Sequence, residues 1–196
     1  MVILAHPDDE TLGCGGTLHR FKENEIFLLI PVHRIEKQFE KAIKHLGVKN
    51  YLFGKFDDNS LDKYTLLKIC KFVERGIAQF VPDVIITHHF NCANQDHRLL
   101  YQAVSIATRP VKHRIPVLTC EVSSSTGYLR PCGFEPNYYI SLTNDDLKAK
   151  LFALGEYKTE ERADRSPEVI EALAKLRGAE SGTDYAEAFM LTRGFE

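Results

Sequence analysis

The stretch Val2-Ile3-Leu4-Ala5-His6-Pro7-Asp8-Asp9-Glu10 runs four apolar residues straight into one imidazole and three carboxylates. The apolar half predicts a β-strand. Pro7 cannot donate to a sheet ladder and biases His6 towards extended backbone, so the chain must turn out of the strand at this point. Charge concentrated immediately after a strand suits an α/β sheet, whose ligand crevice lies beyond the carboxyl ends of its strands.

Working outward, further strands are predicted at Ile26 to Val32, Tyr51 to Phe53, Asp83 to Thr87, Pro116 to Glu121 and Tyr138 to Leu142. Between them, Leu66, Ile69, Cys70, Val73, Ile77 and Phe80 recur at steps of three and four, one face of an amphipathic helix. Ile35, Phe39, Ala42, Ile43 and Leu46 form a second helical stripe that stops at Gly47. Thr143 or Asn144 caps a helix through Tyr157, and Ser166 with Pro167 opens another ending near Gly178. The polar segment Lys158 to Arg165 joins these two, and Ser123 to Pro136 reads as a long irregular loop. Strands separated by helices need crossover connections, so the predicted class is α/β: a Rossmann-like three-layer α/β/α fold with a mostly parallel central sheet and its site at the C-terminal ends of the strands. There is no internal repeat, and one domain is expected over residues 1–196.

Composition agrees with one ordinary core. At 196 residues, 44% hydrophobic and 10% aromatic, a folded chain buries roughly 70% of its unfolded surface. Twenty-five Lys and Arg against 27 Asp and Glu give a net charge of −2, with no basic run to bind nucleic acid or an anionic membrane. The apolar runs fall far short of the ~20 residues that span a bilayer. Five scattered cysteines, Cys14, Cys70, Cys92, Cys120 and Cys132, form no Cys-x-x-Cys pair. With no signal-peptide pattern, a reduced, cytoplasmic protein is expected.

Two motifs carry the chemistry. Asp8 and Asp9 would repel each other if both were buried without a cation. Imidazole nitrogen beside carboxylate oxygen suits zinc or another divalent transition metal, with one aspartate as ligand and its neighbour free to take a proton. The alternative is a solvated acidic turn that caps the following helix. The glycine-rich Gly13 to Thr17 lacks the spacing of a dinucleotide fingerprint or P-loop and reads as small residues that permit close packing. In the second motif, Thr87-His88-His89 leads into Asn94-Gln95-Asp96-His97 at the start of a helix. Leu100, Tyr101, Val104 and Thr108 follow His97 at helical spacing, so His97 faces inward from the first turn. A ligand from this turn completes two histidines and one carboxylate, leaving positions open for water and substrate. Asp96 is placed to orient a neighbouring imidazole. A satisfied buried histidine is the alternative for His97. His88 and His89 compete for the same role, and only one faces the crevice if the strand alternates.

The two motifs together resemble the PIG-L/LmbE-like family of zinc-dependent N-acetylglucosaminyl deacetylases: Ala5 to Glu10 is similar to its first signature and Asn94-x-Asp96-His97 to its second. Leu46-Gly47-Val48, Arg109-Pro110, Ser124-Ser125-Thr126, Pro136-Asn137 and Ala186-Glu187-Ala188-Phe189 support the resemblance. It implies zinc held by His6, Asp9 and His97, Asp8 as general base, and removal of an acetyl group from an N-acetylglucosamine-type amino sugar or its conjugate. Some members of that family assemble into homo-oligomers, an arrangement open to this chain as well, and no single exposed patch in this sequence is assigned to such an interface. Three departures stand out. Asn94 occupies a position where many members have histidine, which leaves Asp8 to act as both base and acid unless His88 or His89 substitutes for that histidine, with Asn94 and His88 expected beside the substrate. At the rim, Arg34 is a near miss for a substrate-positioning arginine, the matching positions being Ile35 and Gln38. Cys92 stands where some relatives carry aspartate, and is read as a loosely packed loop cysteine. Two readings compete with catalysis: a catalytically impaired sugar or nucleotide-sugar binding module on the same scaffold, and a nucleotide or sugar-phosphate binder using the glycine-rich turn.

Overall fold

In the computed structural model, which describes residues 1–111, 114–129 and 133–195, strands and helices alternate along most of the chain. The order is β1 (Val2–Ile3), α1 (Asp9–Arg20), β2 (Phe27–Val32), α2 (Glu36–His45), β3 (Asn50–Phe56), α3 (Leu66–Phe80) and β4 (Ile85–His88). There follow α4 (Gln95–Ala107), β5 (Val117–Cys120), β6 (Tyr138–Leu142), α5 (Asn144–Leu154), α6 (Pro167–Ser181) and β7 (Tyr185–Arg193). One sheet takes the strands in the order β3-β2-β1-β4-β5-β7-β6. The first five are parallel to their neighbours, whereas β7 lies antiparallel to both β5 and β6. Three-layer α/β with a mostly parallel sheet is thus the fold. The strand β7 falls where the sequence predicts none, because its buried Glu187 interrupts the apolar run. Cys132 lies outside the described residues. The other four cysteines are free, and among the described residues no helix is long and apolar enough to cross a membrane.

Side-chain alternation along the strands divides the core. Val2, Leu4, Leu28 and Ile30 pack with Phe39, Ile43 and Tyr157 on one face, and Ile3, Leu29 and Ile85 pack with Ile69, Val73 and Leu100 on the other. Parallel register sets Val2 opposite Ile86 and Ile3 opposite Thr87, so the chain leaving β1 emerges beside the chain leaving β4. That adjacency brings the two motifs together.

The glycine-rich part of α1 serves packing. A Cβ at Gly13 would lie 2.6 Å from Cys120 Sγ, and one at Gly16 would lie 2.5 Å from Leu142 Cδ1. The helix breaks at Cys14, whose φ is −153° and ψ 23°. In an unbroken helix the Gly16 amide would donate to the Leu12 carbonyl. Here the Gly16 and Thr17 amides donate to the Glu187 carboxylate at 2.9 and 2.7 Å. Lys150 Nζ donates to the Leu12 carbonyl at 3.0 Å and to Glu187 Oε1 at 2.5 Å. Lys150 and Glu187 are both buried, and a buried ion pair that loses one member leaves an uncompensated charge. Glu187→Ala is accordingly expected to destabilise the fold by about 3–5 kcal/mol, measured by urea unfolding. A loss below ~1 kcal/mol would mean that Lys150 finds water or another acceptor.

Candidate active site

At the end of β1 the backbone enters a strained turn. Asp8 has φ +117°, a conformation that a side-chain-bearing residue keeps only when its surroundings enforce it. Glu10 enforces it from below: its Oε2 accepts the Asp8 amide at 3.0 Å, and its Oε1 accepts the Tyr157 hydroxyl at 2.6 Å and the Thr11 hydroxyl at 2.7 Å. The Asp8 carbonyl accepts the Thr11 and Leu12 amides, so the turn leads directly into α1.

This turn aims Asp9 at the second motif. Asp9 Oδ2 accepts the His6 amide at 3.0 Å and lies 3.2 Å from His6 Nδ1, 3.2 Å from His97 Nε2 and 3.4 Å from His88 Nε2. His6 Nδ1 and His97 Nε2 are themselves 3.2 Å apart. Three donor atoms, one oxygen and two imidazole nitrogens, therefore form a nearly equilateral triangle among buried residues. Ligands at ~2.1 Å from a tetrahedral cation would be spaced by about 3.4 Å, so the donor set and its spacing fit a divalent metal. Each imidazole is held from behind. Asp96 Oδ2 lies 3.1 Å from His6 Nε2 while its Oδ1 accepts the Leu61 amide at 3.0 Å, and Cys92 Sγ lies 3.1 Å from His97 Nδ1. Cys92 is fully buried. The expectation of a loosely packed loop cysteine fails because an isolated bridge to Thr126 draws residue 92 beneath the first turn of α4.

The remaining candidates take different positions. Asn94 caps α4, its Oδ1 accepting the Asp96 and His97 amides at 2.8 and 3.4 Å; its Nδ2 is directed towards Asn59 Oδ1 at 3.5 Å. His88 lies behind the cluster at 1% exposure. Its ring stacks on His97 with centroids 3.6 Å apart, and its Nε2 accepts the Ala5 amide at 2.8 Å. His89 turns away, its Nδ1 accepting the Asn91 amide. Arg34 pairs with Asp58 at 3.0 Å and with Glu160. One residue that sequence reasoning missed is Arg165, whose Nη1 donates to Asp8 Oδ2 at 2.5 Å and whose Nε donates to Ser124 Oγ at 3.1 Å. It is 157 positions from Asp8, and no local pattern marks it. His6, Asp8, Arg34, Asn94, His97 and Arg165 all line a hollow of about 280 Å³.

Electrostatics follow from burial and proximity. Burial, with the Asp9 charge beside it, pushes the Asp8 carboxyl up to about 7 against the opposing pull of Arg165. Burial also works against the Asp9 carboxylate, but the His97 charge and the His6 hydrogen bond outweigh it and hold this group well below the usual range. Burial disfavours charge on His6 and His97 too, yet Asp9 and Asp96 push His6 up to about 10, and Asp9 with Cys92 pushes His97 up to about 9. Burial and then the His97 charge pull His88 down to about 3, so that ring is neutral. Without a metal, two imidazolium rings supply the positive charge that Asp9 requires.

The sequence of residues 30–108 matches the PIG-L pattern, described as GlcNAc-PI de-N-acetylase. Residues 30–108 are a PIG-L family domain. This PIG-L segment contributes Arg34, Asp96 and His97, whereas His6, Asp8 and Asp9 come from outside it. A curated relative, "Uncharacterized deacetylase YaiS" of Escherichia coli (strain K12), is 27% identical over 175 residues, covering 81% of this chain and 90% of the relative. Among solved structures, the N,N'-diacetylchitobiose deacetylase of Pyrococcus horikoshii superposes with a TM-score of 0.75 at 18% identity, over 98% of this chain and 82% of that one. GalB, the 4-carboxy-2-hydroxymuconate hydratase of Pseudomonas putida KT2440, superposes with a TM-score of 0.73 at 15% identity, over 100% of this chain and 96% of that one. At such identities the superpositions establish the shared fold, and a hydratase stands among its users beside a deacetylase.

The raised values of His6 and His97 generate a measurable consequence. Both lie above the ordinary 6.5, so both rings carry a proton at pH 7 in the metal-free protein and must lose it to ligate. Addition of Zn²⁺ at pH 7 is expected to release about two protons per site, read from the dependence of calorimetric heat on buffer ionisation enthalpy. Zero release would show that these rings are already neutral.

Proposed function

We propose that this chain is a metal-dependent N-deacetylase that hydrolyses the acetamide of an N-acetylglucosamine-type amino sugar or its conjugate. The observation that carries the reading is the triangle of His6 Nδ1, Asp9 Oδ2 and His97 Nε2 at one end of a polar hollow, with the Asp8 carboxyl beside it, in a chain with a PIG-L domain. His6, Asp9 and His97 would hold zinc, which suits this nitrogen and oxygen donor set. A bound divalent cation supplies Lewis acidity to the amide carbonyl and makes water a stronger acid.

Asp8 does the proton work. A carboxyl poised near neutral pH is strong enough as a base to take a proton from attacking water, and acidic enough to return it to the departing amine. Protonation of that nitrogen is needed because an amide anion is a very poor leaving group. Arg165 fixes the Asp8 carboxylate and opposes the rise in its pKa. Asn94, with its oxygen committed to the helix cap, has only its amide N–H to offer the developing oxyanion. Asp96 holds His6 with its inward nitrogen towards the metal position. Arg34 forms the rim and contacts the sugar or its substituent. His88 acts from behind the cluster, by stacking on His97. The chain is read as one catalytic unit over residues 1–196, working in a reducing cytoplasm.

One observation favours the second reading, a sugar or nucleotide-sugar binding module. Asn94 has no titrating proton, and the Asp8 carboxylate is already engaged by Arg165. A panel of N-acetylglucosamine derivatives assayed for free amine, with added Zn²⁺ and with chelator, separates the two: chelator-sensitive amine release supports hydrolysis, and silence across the panel overturns it. Asp8→Asn is expected to retain metal while losing about 10²–10⁴-fold in turnover. His97→Ala is expected to lose both. An Asp8→Asn protein with undiminished activity would refute the assigned base.

A further inference from the structure

A histidine that ligates through one ring nitrogen is oriented by whatever holds the other, and the usual partners are carboxylates, backbone carbonyls and water. His6 follows that rule through Asp96. His97 does not: its Nδ1 faces the sulfur of Cys92 at 3.1 Å, with its Nε2 directed at Asp9 and His6. The sulfur cannot move away easily. Cys92 is fully buried, its backbone bridges to Thr126, and its carbonyl accepts Arg98 Nη1 at 2.5 Å. Arg98 also donates to the Ala93 carbonyl at 2.8 Å, so the residue following the proposed ligand ties down the segment that carries the thiol. The stacked His88 ring covers one face of His97.

We infer that Cys92 is a positioning residue for the metal site, its sulfur accepting the His97 Nδ1 proton and thereby presenting the Nε2 lone pair to the cation. This rests on the metal reading given above. A sulfur acceptor is larger and weaker than a carboxylate oxygen, so this site depends on packing around residue 92 to hold the imidazole where charge would otherwise hold it.

The test is a titration of the chelator-treated full chain with Co²⁺, following the visible ligand-field bands, and a competition titration with Zn²⁺. Cys92→Ala is expected to bind both ions about 10–100-fold more weakly than the unsubstituted protein, with altered Co²⁺ bands. Cys92→Asp, which restores an acceptor at the same place, is expected to recover the affinity. Should Cys92→Ala fail to fold, Cys92→Val carries the comparison: it fills the buried place without an acceptor, and a loss of similar size is expected. Unchanged affinity in the folded Ala or Val variant would overturn the inference, as would a Cys92→Asp protein that binds no more tightly than Cys92→Ala. Failure of the unsubstituted protein to bind either ion is a distinct result, and overturns the metal reading itself.

Discussion

One carboxylate oxygen, Asp9 Oδ2, sits in a fully buried place with three imidazole rings and a backbone amide directed at it. An isolated carboxylate there would be expelled or protonated. It stays ionised because charge on His6 and His97 is built around it, and the three rings come from different parts of the fold: His6 from the turn after β1, the neutral His88 from the end of β4, His97 from the first turn of α4. The parallel pairing of β1 with β4 makes these approaches coincide. A one-residue slip in that pairing would turn His88 to the opposite face of the sheet and strip Asp9 of one of its rings.

The turn carrying Asp9 is costly, and the chain supports it from beneath. Asp8 adopts positive φ because its amide is captured by Glu10, which is in turn captured by Tyr157 just beyond α5. Lys150, on α5 itself, reaches the broken part of α1 together with Glu187 on β7. Two buried acids, one lysine and one tyrosine thus tie the C-terminal third of the chain to the first twenty residues. These contacts cost desolvation and are paired almost completely, which is the condition under which buried polar groups specify one arrangement. The polar groups beneath the site are thus buried and paired, whereas the rim is built of partly exposed ion pairs on the short turns around Arg34, Glu160 and Arg165.

What could be read beforehand was what is local. The helix over Leu66–Phe80 announces itself by a continuous apolar stripe; of the candidate ligands, positions 6 and 9 stand just past a predicted strand and position 97 in the first turn of a predicted helix. The strand β7 was hidden because one of its buried positions is Glu187, whose partners lie on α1 and α5 and are invisible from its own neighbourhood. Arg165 was hidden in the same way: a polar residue in a connecting segment gives no sign that it will reach Asp8. Cys92 was misread because its environment depends on a bridge to Thr126, thirty-four positions on, which no periodicity encodes. His88 could be narrowed only to one of two adjacent histidines, since choosing between them needed the direction of the pleat at the end of β4.

The shared scaffold does not choose the reaction, since a hydratase uses it as well as a deacetylase. In the proposed reading the choice lies in how protons are moved beside the candidate triad of His6, Asp9 and His97. In the proposed hydrolysis, Asn94 stands where a titrating side chain could have protonated the amine, and it has committed its oxygen to capping the helix that presents His97. Helix geometry and proton supply therefore compete for one residue, and geometry has taken it. His88, the nearest remaining imidazole, is stacked and neutral behind the cluster with its Nε2 occupied by the Ala5 amide, so it cannot compensate. Both proton transfers fall to Asp8, and a carboxyl that must first accept and then donate needs a pKa near the working pH. Burial beside the ionised Asp9 raises it to that region, and Arg165 prevents it from rising further. With no titrating group at position 94, the proposed proton transfers rest on Asp8 together with Arg165 and the strained turn that hold it.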